Sequence, residues 1–316
     1  MKLSENQIKA ITFGQVCSET TDEGMKFFKC TPKQISAWNE LSKTLGDRAR
    51  TSTGISLDFH TDSKTFSFEA IGKFEVYLND LYHGKFNLTA ESPRADVNAR
   101  DPQDPDRHEV RITLIFPSHD EGILRSVELD DGAYVKPHTF DTKLLFIGDS
   151  ITQGWDSGYD SLSYAWRVTR FFNAERVIHG VGGGYFHPTT FDSIDFDPDT
   201  VIIALGTNDF GKFPTLDELR EKVSGFMELI AKEYAGKKIF CISPIWRAVQ
   251  EKPMGSFTEC RGVIIEEAAK HGMIHIDGLE LVPHDPIFFA DQTLHPNALG
   301  FGIYAENLIR KLQKYM

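Results

Sequence analysis

The sequence has few cysteines, and their arrangement excludes several classes of protein. Four cysteines occur among 316 residues, at positions 17, 30, 241 and 260. They form neither a Cys-x-x-Cys pair nor a Cys/His group with the spacing of metal ligands. We therefore expect buried or idle thiols rather than a metal site or a disulfide framework.

Positive charge and long apolar runs are scarce as well. Lysine and arginine number 34 against 46 acidic residues, giving a net charge of −12. Such a surface repels phosphate backbones and anionic lipid headgroups, so we expect no nucleic-acid or membrane partner. No segment approaches the roughly 18 apolar residues of a membrane span. The N-terminal 16 residues contain no signal-peptide core, so we expect a cytoplasmic protein unless a leader has been removed.

The first 140 residues have the pattern of an antiparallel β domain. Short alternating runs separated by turn residues predict a jelly-roll-like β-sandwich for residues 1–140; they lie at 54–61, 64–71, 73–80, 109–116 and 124–131. One helix is predicted over 32–45, with Thr31 as its cap and Pro32 in its first turn. The polar segment 91–109 is predicted to be a long exposed loop.

The second part, residues 141–316, changes to nearly continuous apolar runs, each followed by a helix-length stretch. These runs are 143–148, 175–181, 200–206, 238–244 and 273–278. Five such β-then-α units predict a parallel sheet with helices on both faces. Because ligands bind beyond the carboxyl ends of strands in sheets of this kind, residues at those ends are the candidate site.

Residues with catalytic potential, either polar side chains or exposed backbone amides, follow three of the apolar runs. The first run leads into Ser150, whose hydroxyl and amide lie at a strand-to-helix turn, although Asp and Ser are also common helix caps. The second is followed by glycines 182–184, which let a backbone N–H approach a substrate oxygen or simply form a loop. The third ends at Asn208, whose carboxamide can face an oxyanion or leave the strand in an Asx turn.

The last candidates precede the C-terminal amphipathic helix. Asp291 and His295 stand there four residues apart. A serine nucleophile needs a base within hydrogen-bond reach, and that base needs an acid to orient it. A lone histidine before proline is more often structural, but here it completes a set.

Four segments, GDSITQGW, GVGGG, GTND and DQTLHPN, resemble in order the four conserved blocks of the SGNH (GDSL-type) hydrolase superfamily. The resemblance covers residues 143–316 and implies a flavodoxin-like serine esterase domain. It implies that Ser150 attacks the ester carbonyl and His295 is the general base. The oxyanion hole would comprise the amides of Ser150 and Gly183 and the side chain of Asn208.

Two assignments within this resemblance stay open. The glycine run leaves Gly182 and Gly184 as alternatives to Gly183. The family usually places its acid three residues before the histidine, whereas Asp291 stands four before it. Asp285 is therefore the second choice, and a Ser–His dyad oriented by a backbone carbonyl is a third possibility.

The two-part layout is similar to that of carbohydrate esterase family 2 and related sugar deacetylases. Trp155, Tyr185 and Trp246 are candidate sugar-binding side chains, with ordinary core packing as the alternative. We expect hydrolysis of a short acyl ester, acetyl above all, on a small molecule or oligosaccharide, without a metal or organic cofactor. The alternatives are a lipase, lysophospholipase or thioesterase of the same superfamily, and an inactive sugar-binding protein.

Overall fold

The computed structural model describes residues 1–100 and 108–315, in two compact units. The first unit comprises Met1–Lys29 and Arg50–Phe140, and the second comprises Cys30–Ala49 and Asp141–Met316. The second unit thus includes a segment that the sequence analysis placed with the β-rich part. Residues 101–107 of the predicted long loop lie outside the described residues.

The helices of the described residues are α1 (Glu5–Ala10), α2 (Pro32–Leu41), α3 (Lys43–Ala49), α4 (Ser150–Gln153), α5 (Tyr164–Phe171), α6 (Leu216–Glu233), α7 (Phe257–Lys270) and α8 (Ala298–Leu312). The strands of the first unit are β1 (Thr12–Phe13), β2 (Cys17–Thr21), β3 (Gly24–Phe28), β4 (Ser56–Thr61), β5 (Thr65–Leu78), β6 (Leu81–Leu88), β7 (Arg94–Asn98), β8 (Val110–Ile115), β9 (Ile123–Leu129) and β10 (Lys136–Pro137). Those of the second are β11 (Thr142–Gly148), β12 (Ala174–Gly180), β13 (Thr200–Ala204), β14 (Lys238–Ile242), β15 (Glu251–Lys252), β16 (Gly255–Ser256) and β17 (Ile274–Ile276).

The first unit is a curled antiparallel sheet, which confirms the antiparallel β fold predicted for this part. Its principal strand order is β1-β4-β8-β5-β9-β3-β2, with β10 paired to β4 and both β6 and β7 paired to β5. The 14-residue strand β5 was predicted as two strands. Its first half pairs with β7 and β9, and its second half pairs with β6 and β8. The chain passes between the two halves at Gly72, where φ is +132°.

Side chains of the curled sheet enclose an apolar core rich in phenylalanine. The rings of Phe66 and Phe68 stack with centroids 5.3 Å apart, and Phe74 packs edge-on against Phe68. Each fully buried ring of this size stabilises the fold by about 2–3 kcal/mol through removal of apolar surface from water.

Strand β7 lies inside the segment 91–109, so the prediction of an uninterrupted loop there was wrong. Alternation in 94–98 is its only strand signal.

The second unit contains the predicted parallel sheet with helices, in the order β12-β11-β13-β14-β17. Apolar side chains of its central strands are buried on both sides, and α5 packs with α8 while α6 packs with α7. The prediction of a helix after every strand was wrong for β12. The chain from 181 to 199 contains only one 3₁₀ turn, Pro188–Thr190.

Helix α2 takes the place of that missing helix. It packs against the Pro188–Thr190 turn, and Trp38 forms an apolar cluster with Leu45 of α3 and with Val181 and Tyr185 after β12. A single helix over 32–45 was predicted, but Ser42 is extended and separates α2 from α3.

None of the helices within residues 1–100 and 108–315 is long and apolar enough to cross a membrane.

Candidate active site

The candidate site begins where three neighbouring strands end in register. Gly148 of β11 is paired with Gly180 of β12 on one side and with Ala204 of β13 on the other. A side chain on Gly180 would meet the backbone of Gln153 at 2.5 Å, so this glycine allows strand and helix backbones to touch. The three loops that follow therefore start side by side, although they are far apart in sequence.

Ser150 and His295 are within hydrogen-bond distance of each other. The Oγ of Ser150 lies 2.9 Å from Nε2 of His295. Ser150 is the first residue of α4, which Asp149 caps by accepting a hydrogen bond from the amide of Ile151. Only 6% of Ser150 is exposed, so its hydroxyl lies largely out of water and beside an imidazole nitrogen.

Asp291 holds the other side of the His295 ring. Its Oδ2 lies 2.9 Å from Nδ1, while its Oδ1 accepts hydrogen bonds from the amides of Thr293, Leu294 and His295. Partial burial raises the pKa of Asp291, but these hydrogen bonds outweigh it and bring the pKa to about 2. An ionised Asp291 places the proton on Nδ1 and leaves Nε2 as an acceptor for the Ser150 hydroxyl.

Although Asp291 stands four residues before His295, its side chain still reaches the imidazole ring. The chain between them forms a turn in which one carboxylate oxygen of Asp291 accepts from three successive amides. Asp285, the second choice for the acid, caps the turn Pro286–Phe288 through the amide of Ile287. A different carboxylate approaches the ring instead, since Oδ2 of Asp156 lies 3.9 Å from Nδ1 of His295. Nothing in the sequence pattern pointed to Asp156, whose backbone is left-handed with φ of +67°.

The three glycines after β12 differ in what their amides bind. Gly182 donates to Oε1 of Gln153 at 2.7 Å, and Gly184 donates to the carbonyl of Val181 at 2.7 Å. Among the described residues no acceptor is found for the amide of Gly183, where φ is +81°, or for that of Ser150. These two N–H groups are available to a ligand.

Asn208 lies in the loop after β13, beside the glycines. Its Nδ2 donates to the carbonyl of Gly184 at 2.9 Å. A carboxamide nitrogen carries two hydrogens, so this contact fixes the side chain and leaves a second N–H. The structure therefore brings Ser150, Gly183 and Asn208 to one edge of the sheet.

Arg48 and Gln153 were missed by the sequence analysis. Arg48 donates from Nη1 to the carbonyl of Gly182 at 2.9 Å, and its guanidinium lies over the ring of Trp155 at 5.0 Å. Gln153 binds both the amide of Gly182 and the indole N–H of Trp155. Arg48 carries no motif signal, because it precedes Gly182 by 134 residues.

The three candidate sugar-binding aromatics have different surroundings. Trp155 is half-buried, and its ring centroid lies 6.4 Å from that of His295. Trp246 packs against Phe289 and stacks on His284. Tyr185 is only 4% exposed and packs against Trp38 and Phe213, so its assignment as a sugar-stacking residue was wrong. The alternative of core packing applies to it.

Two buried carboxylic acids lie next to the site residues in sequence. Burial raises the pKa of Asp149 to about 6 and that of Asp209 to about 7. Oδ1 of Asp209 accepts from the amide of Phe186, whereas Oδ2 has no hydrogen-bond partner among the described residues. Within residues 1–100 and 108–315, no group of three or more His, Cys, Asp or Glu side chains is arranged to hold a metal ion.

A known protein family matches the part of the chain that contains these site residues. Residues 146–303 match the model of the GDSL-like lipase/acylhydrolase family. The match begins within β11 and includes Ser150, the glycine loop, Asn208 and His295. No curated protein matches the sequence.

Solved structures share the fold over nearly the whole chain. The salicylyl-acyltransferase SsfX3 from a tetracycline biosynthetic pathway is 18% identical, with a TM-score of 0.78 over 96% of this chain and 94% of that one. A GDSL-like lipase from Bacteroides ovatus is 15% identical, with a TM-score of 0.75 over 99% and 97%. A family two carbohydrate esterase from Clostridium thermocellum, in complex with cellohexaose, is 15% identical, with a TM-score of 0.70 over 96% and 98%.

Proposed function

The chain belongs to the GDSL-like lipase/acylhydrolase family and is a carboxylic ester hydrolase, and on this premise we propose that it removes a short acyl group, acetyl, from an esterified carbohydrate through an acyl-enzyme on Ser150. The observation that carries the proposal is the continuous hydrogen-bonded chain from Ser150 through His295 to Asp291. It lies beside two amides with no acceptor among the described residues.

In the first half of the proposed reaction, Oγ of Ser150 attacks the ester carbonyl carbon. The hydroxyl proton passes to Nε2 of His295, and the carbonyl π electrons move to the oxygen. The amides of Ser150 and Gly183 and the second N–H of Asn208 bind that oxyanion. The tetrahedral intermediate then expels the alcohol, which takes the proton from His295 and leaves acetylated Ser150.

The second half repeats the same proton movements with water as the nucleophile. His295 accepts a proton from water as the oxygen attacks the acyl carbon, and the tetrahedral intermediate expels Oγ of Ser150, which takes the proton back. The ionised Asp291 stabilises the imidazolium in both halves without accepting a proton. Acetic acid leaves and releases its remaining proton to the solvent as acetate, and the enzyme returns to its initial protonation state.

Two observations support a carbohydrate ester as the substrate class. The likeness to the family two carbohydrate esterase extends over 96% of this chain and 98% of that one, so both units take part in it. Trp155 also places a large indole ring beside His295. An aromatic face of this kind stacks on the apolar face of a sugar ring.

The test is hydrolysis of p-nitrophenyl acetate, butyrate and octanoate by the wild type and by Ser150→Ala. We expect kcat/KM to fall steeply from acetate to octanoate, and we expect the variant to lose at least about 10⁴-fold in kcat with an unchanged melting temperature. A serine-directed phosphonate should label Ser150 and no other serine. Acetate release from acetylated cello- and xylo-oligosaccharides then tests the carbohydrate.

A control variant and the substrate preference separate the proposed esterase from a lipase and from an inactive sugar-binding protein. Ser161→Ala, which removes another buried serine hydroxyl, controls for a small packing defect and should keep wild-type kcat. Preference for octanoate would favour the lipase alternative. Oligosaccharide binding without any ester turnover would instead identify an inactive sugar-binding protein, and wild-type turnover by Ser150→Ala would end the assignment of the nucleophile.

A further inference from the structure

The peptide between Gly182 and Gly183 is held by a side chain from a distant part of the chain. Its carbonyl accepts a hydrogen bond from Nη1 of Arg48 at 2.9 Å. Its N–H belongs to Gly183, for which the described residues supply no acceptor. We propose that Arg48 is a positioning residue, which holds this peptide so that the N–H of Gly183 is directed at the oxyanion. The proposal rests on the function proposed above.

Peptide geometry couples the direction of the Gly182 carbonyl to that of the Gly183 N–H. A trans peptide is planar, and its C=O and N–H bonds point in opposite directions. Any donor that fixes the carbonyl of Gly182 therefore also fixes the direction of the Gly183 N–H. Arg48 binds one edge of the plane and leaves the opposite edge for the substrate oxygen.

A restraint is needed at this point because the loop is rich in glycine. Glycine adopts positive and negative φ with similar ease, so a peptide between two glycines can rotate at little cost. The flanking amides are held by other groups, since Gly182 N–H binds Gln153 and Gly184 N–H binds the Val181 carbonyl. The carbonyl of Gly182 is held by Arg48.

Arg48 is itself fixed in place. It extends from α3, where Leu45 and Ala49 are buried, and its guanidinium lies 5.0 Å from the centre of the Trp155 ring. A β-carbon on Gly183 would lie 3.1 Å from Nη1 of Arg48, so the cation lies next to the residue that it orients. A hydrogen bond from a charged donor also polarises the peptide, which makes the Gly183 N–H a stronger donor.

The contact acts most strongly in the transition state. The ground-state carbonyl of an ester is neutral, and negative charge develops on its oxygen only as Ser150 attacks. Loss of the restraint should therefore lower kcat and leave KM nearly unchanged. A purely structural Arg48 would lower the melting temperature without changing kcat per active site, and a substrate-binding Arg48 would mainly raise KM.

The experiment compares Arg48→Met, Arg48→Lys and the control Lys43→Met, which removes a positive charge from an 88% exposed side chain of the same helix. Active sites are titrated with a p-nitrophenyl phosphonate, so that kcat refers to folded enzyme. We expect Arg48→Met to lower kcat about tenfold or more with KM changed less than about threefold. Arg48→Lys, which keeps a charged donor, should recover much of that loss, and Lys43→Met should match the wild type.

A second readout uses the same phosphonate as a mimic of the transition state. Its phosphoryl oxygen takes the place of the oxyanion when it reacts with Ser150, so its inactivation rate should fall across the variants in parallel with kcat/KM. Wild-type kcat in Arg48→Met, or a loss confined to KM, would overturn the proposal. Inactivity of the wild type itself, or full activity in Ser150→Ala, would instead be a failure of the proposed function.

Discussion

The two units of the molecule differ in how they use buried polar groups. In the curled sheet several of these groups pair with each other, although Oε1 of Gln15 is buried without a hydrogen-bond partner among the described residues. Arg111 donates from Nε and Nη2 to the two oxygens of the buried Asp58, at 2.8 Å each, and buried Lys29 binds Thr53. In the parallel unit, polar groups at the strand ends include N–H groups for which no described residue serves as acceptor, namely the amides of Ser150 and Gly183 and one N–H of Asn208.

Strand direction explains the difference. In an antiparallel sheet each edge collects strand beginnings and strand ends alternately, and hairpins join most of them. In a parallel sheet all strands end at the same edge, so loops that are far apart in sequence begin there side by side. Chemistry that needs a nucleophile, a base and donors from separate segments is assembled at that edge. The following predictions test this division, from the largest expected effect to the smallest.

Asp291→Ala should lower kcat by about 10³-fold, because His295 loses the carboxylate that fixes its tautomer and stabilises its charged form. Steady-state kinetics on p-nitrophenyl acetate measures it. Asp285→Ala is the matched control and should stay within about twofold of the wild type. A larger loss in Asp285→Ala than in Asp291→Ala would transfer the role of the acid.

Substitution of Asp156 gives a second test of how His295 is supported. Its carboxylate lies 3.9 Å from Nδ1 of His295, so it can support part of the imidazolium charge once Asp291 is gone. We expect Asp156→Ala alone to have a small effect and the Asp156/Asp291 double variant to fall below Asp291→Ala. Additive losses would show that the two carboxylates act independently.

Leu114→Ala tests the first unit, where we expect a loss of stability without a loss of chemistry. Leu114 is fully buried in β8 within the phenylalanine-rich core. Its truncation should lower the free energy of unfolding by about 3 kcal/mol through lost burial and a residual cavity. Urea denaturation measures this. At 25 °C kcat per titrated active site should stay within about twofold of the wild type, and a large fall would contradict the division between the units.

Asn208→Ala should lower kcat about 10²-fold with little change in KM, since its contact with the oxygen strengthens only as negative charge develops. Full kinetic curves with p-nitrophenyl acetate separate the two constants. Asn87→Ala, on strand β6 of the first unit, should match the wild type. An effect on KM alone would make Asn208 a residue that binds the ground state.

Asp209→Asn should change how stability depends on pH. Burial raises the folded-state pKa of Asp209 to about 7, whereas an unfolded aspartic acid titrates near 4. Between pH 4 and 7 the folded protein holds a proton that the unfolded chain has released, so the free energy of unfolding falls as pH rises. The variant should remove this fall and be about 1–2 kcal/mol more stable at pH 8. Parallel curves for variant and wild type would contradict the shift.

Sequence patterns predicted the parallel sheet well because its buried strands are long apolar runs with polar residues at their ends. They were less successful where tertiary contacts decide. Strand β7 has only five residues in a polar segment, and β6 is mostly exposed. The absence of a helix after β12 could not be predicted, because it depends on α2 covering that place. No local pattern reveals such a substitution.

The same limit applies to the site. Ser150, Asn208 and His295 stand in recognisable motifs, and the three loops had to meet once the strands were parallel. Arg48 has no motif around it, and Gln153 stands within the segment GDSITQGW but was given no role there. Tyr185 follows the glycine loop closely, yet Trp38 and Phe213 enclose its ring. Whether an aromatic side chain faces a substrate or the core depends on neighbours distant in sequence.

The discontinuous path of the chain also has a consequence for synthesis. During synthesis Arg48 leaves the ribosome 134 residues before Gly182, whose carbonyl it binds in the folded protein. Until then Trp38 and Leu45 lack the partners after β12 that cover them in the native protein, and the adjoining β segments on both sides are already able to pair. Contacts of such high sequence separation form late and slowly. The pair of helices α2 and α3 therefore stays without its native cover while the 134 residues between Arg48 and Gly182 are synthesised.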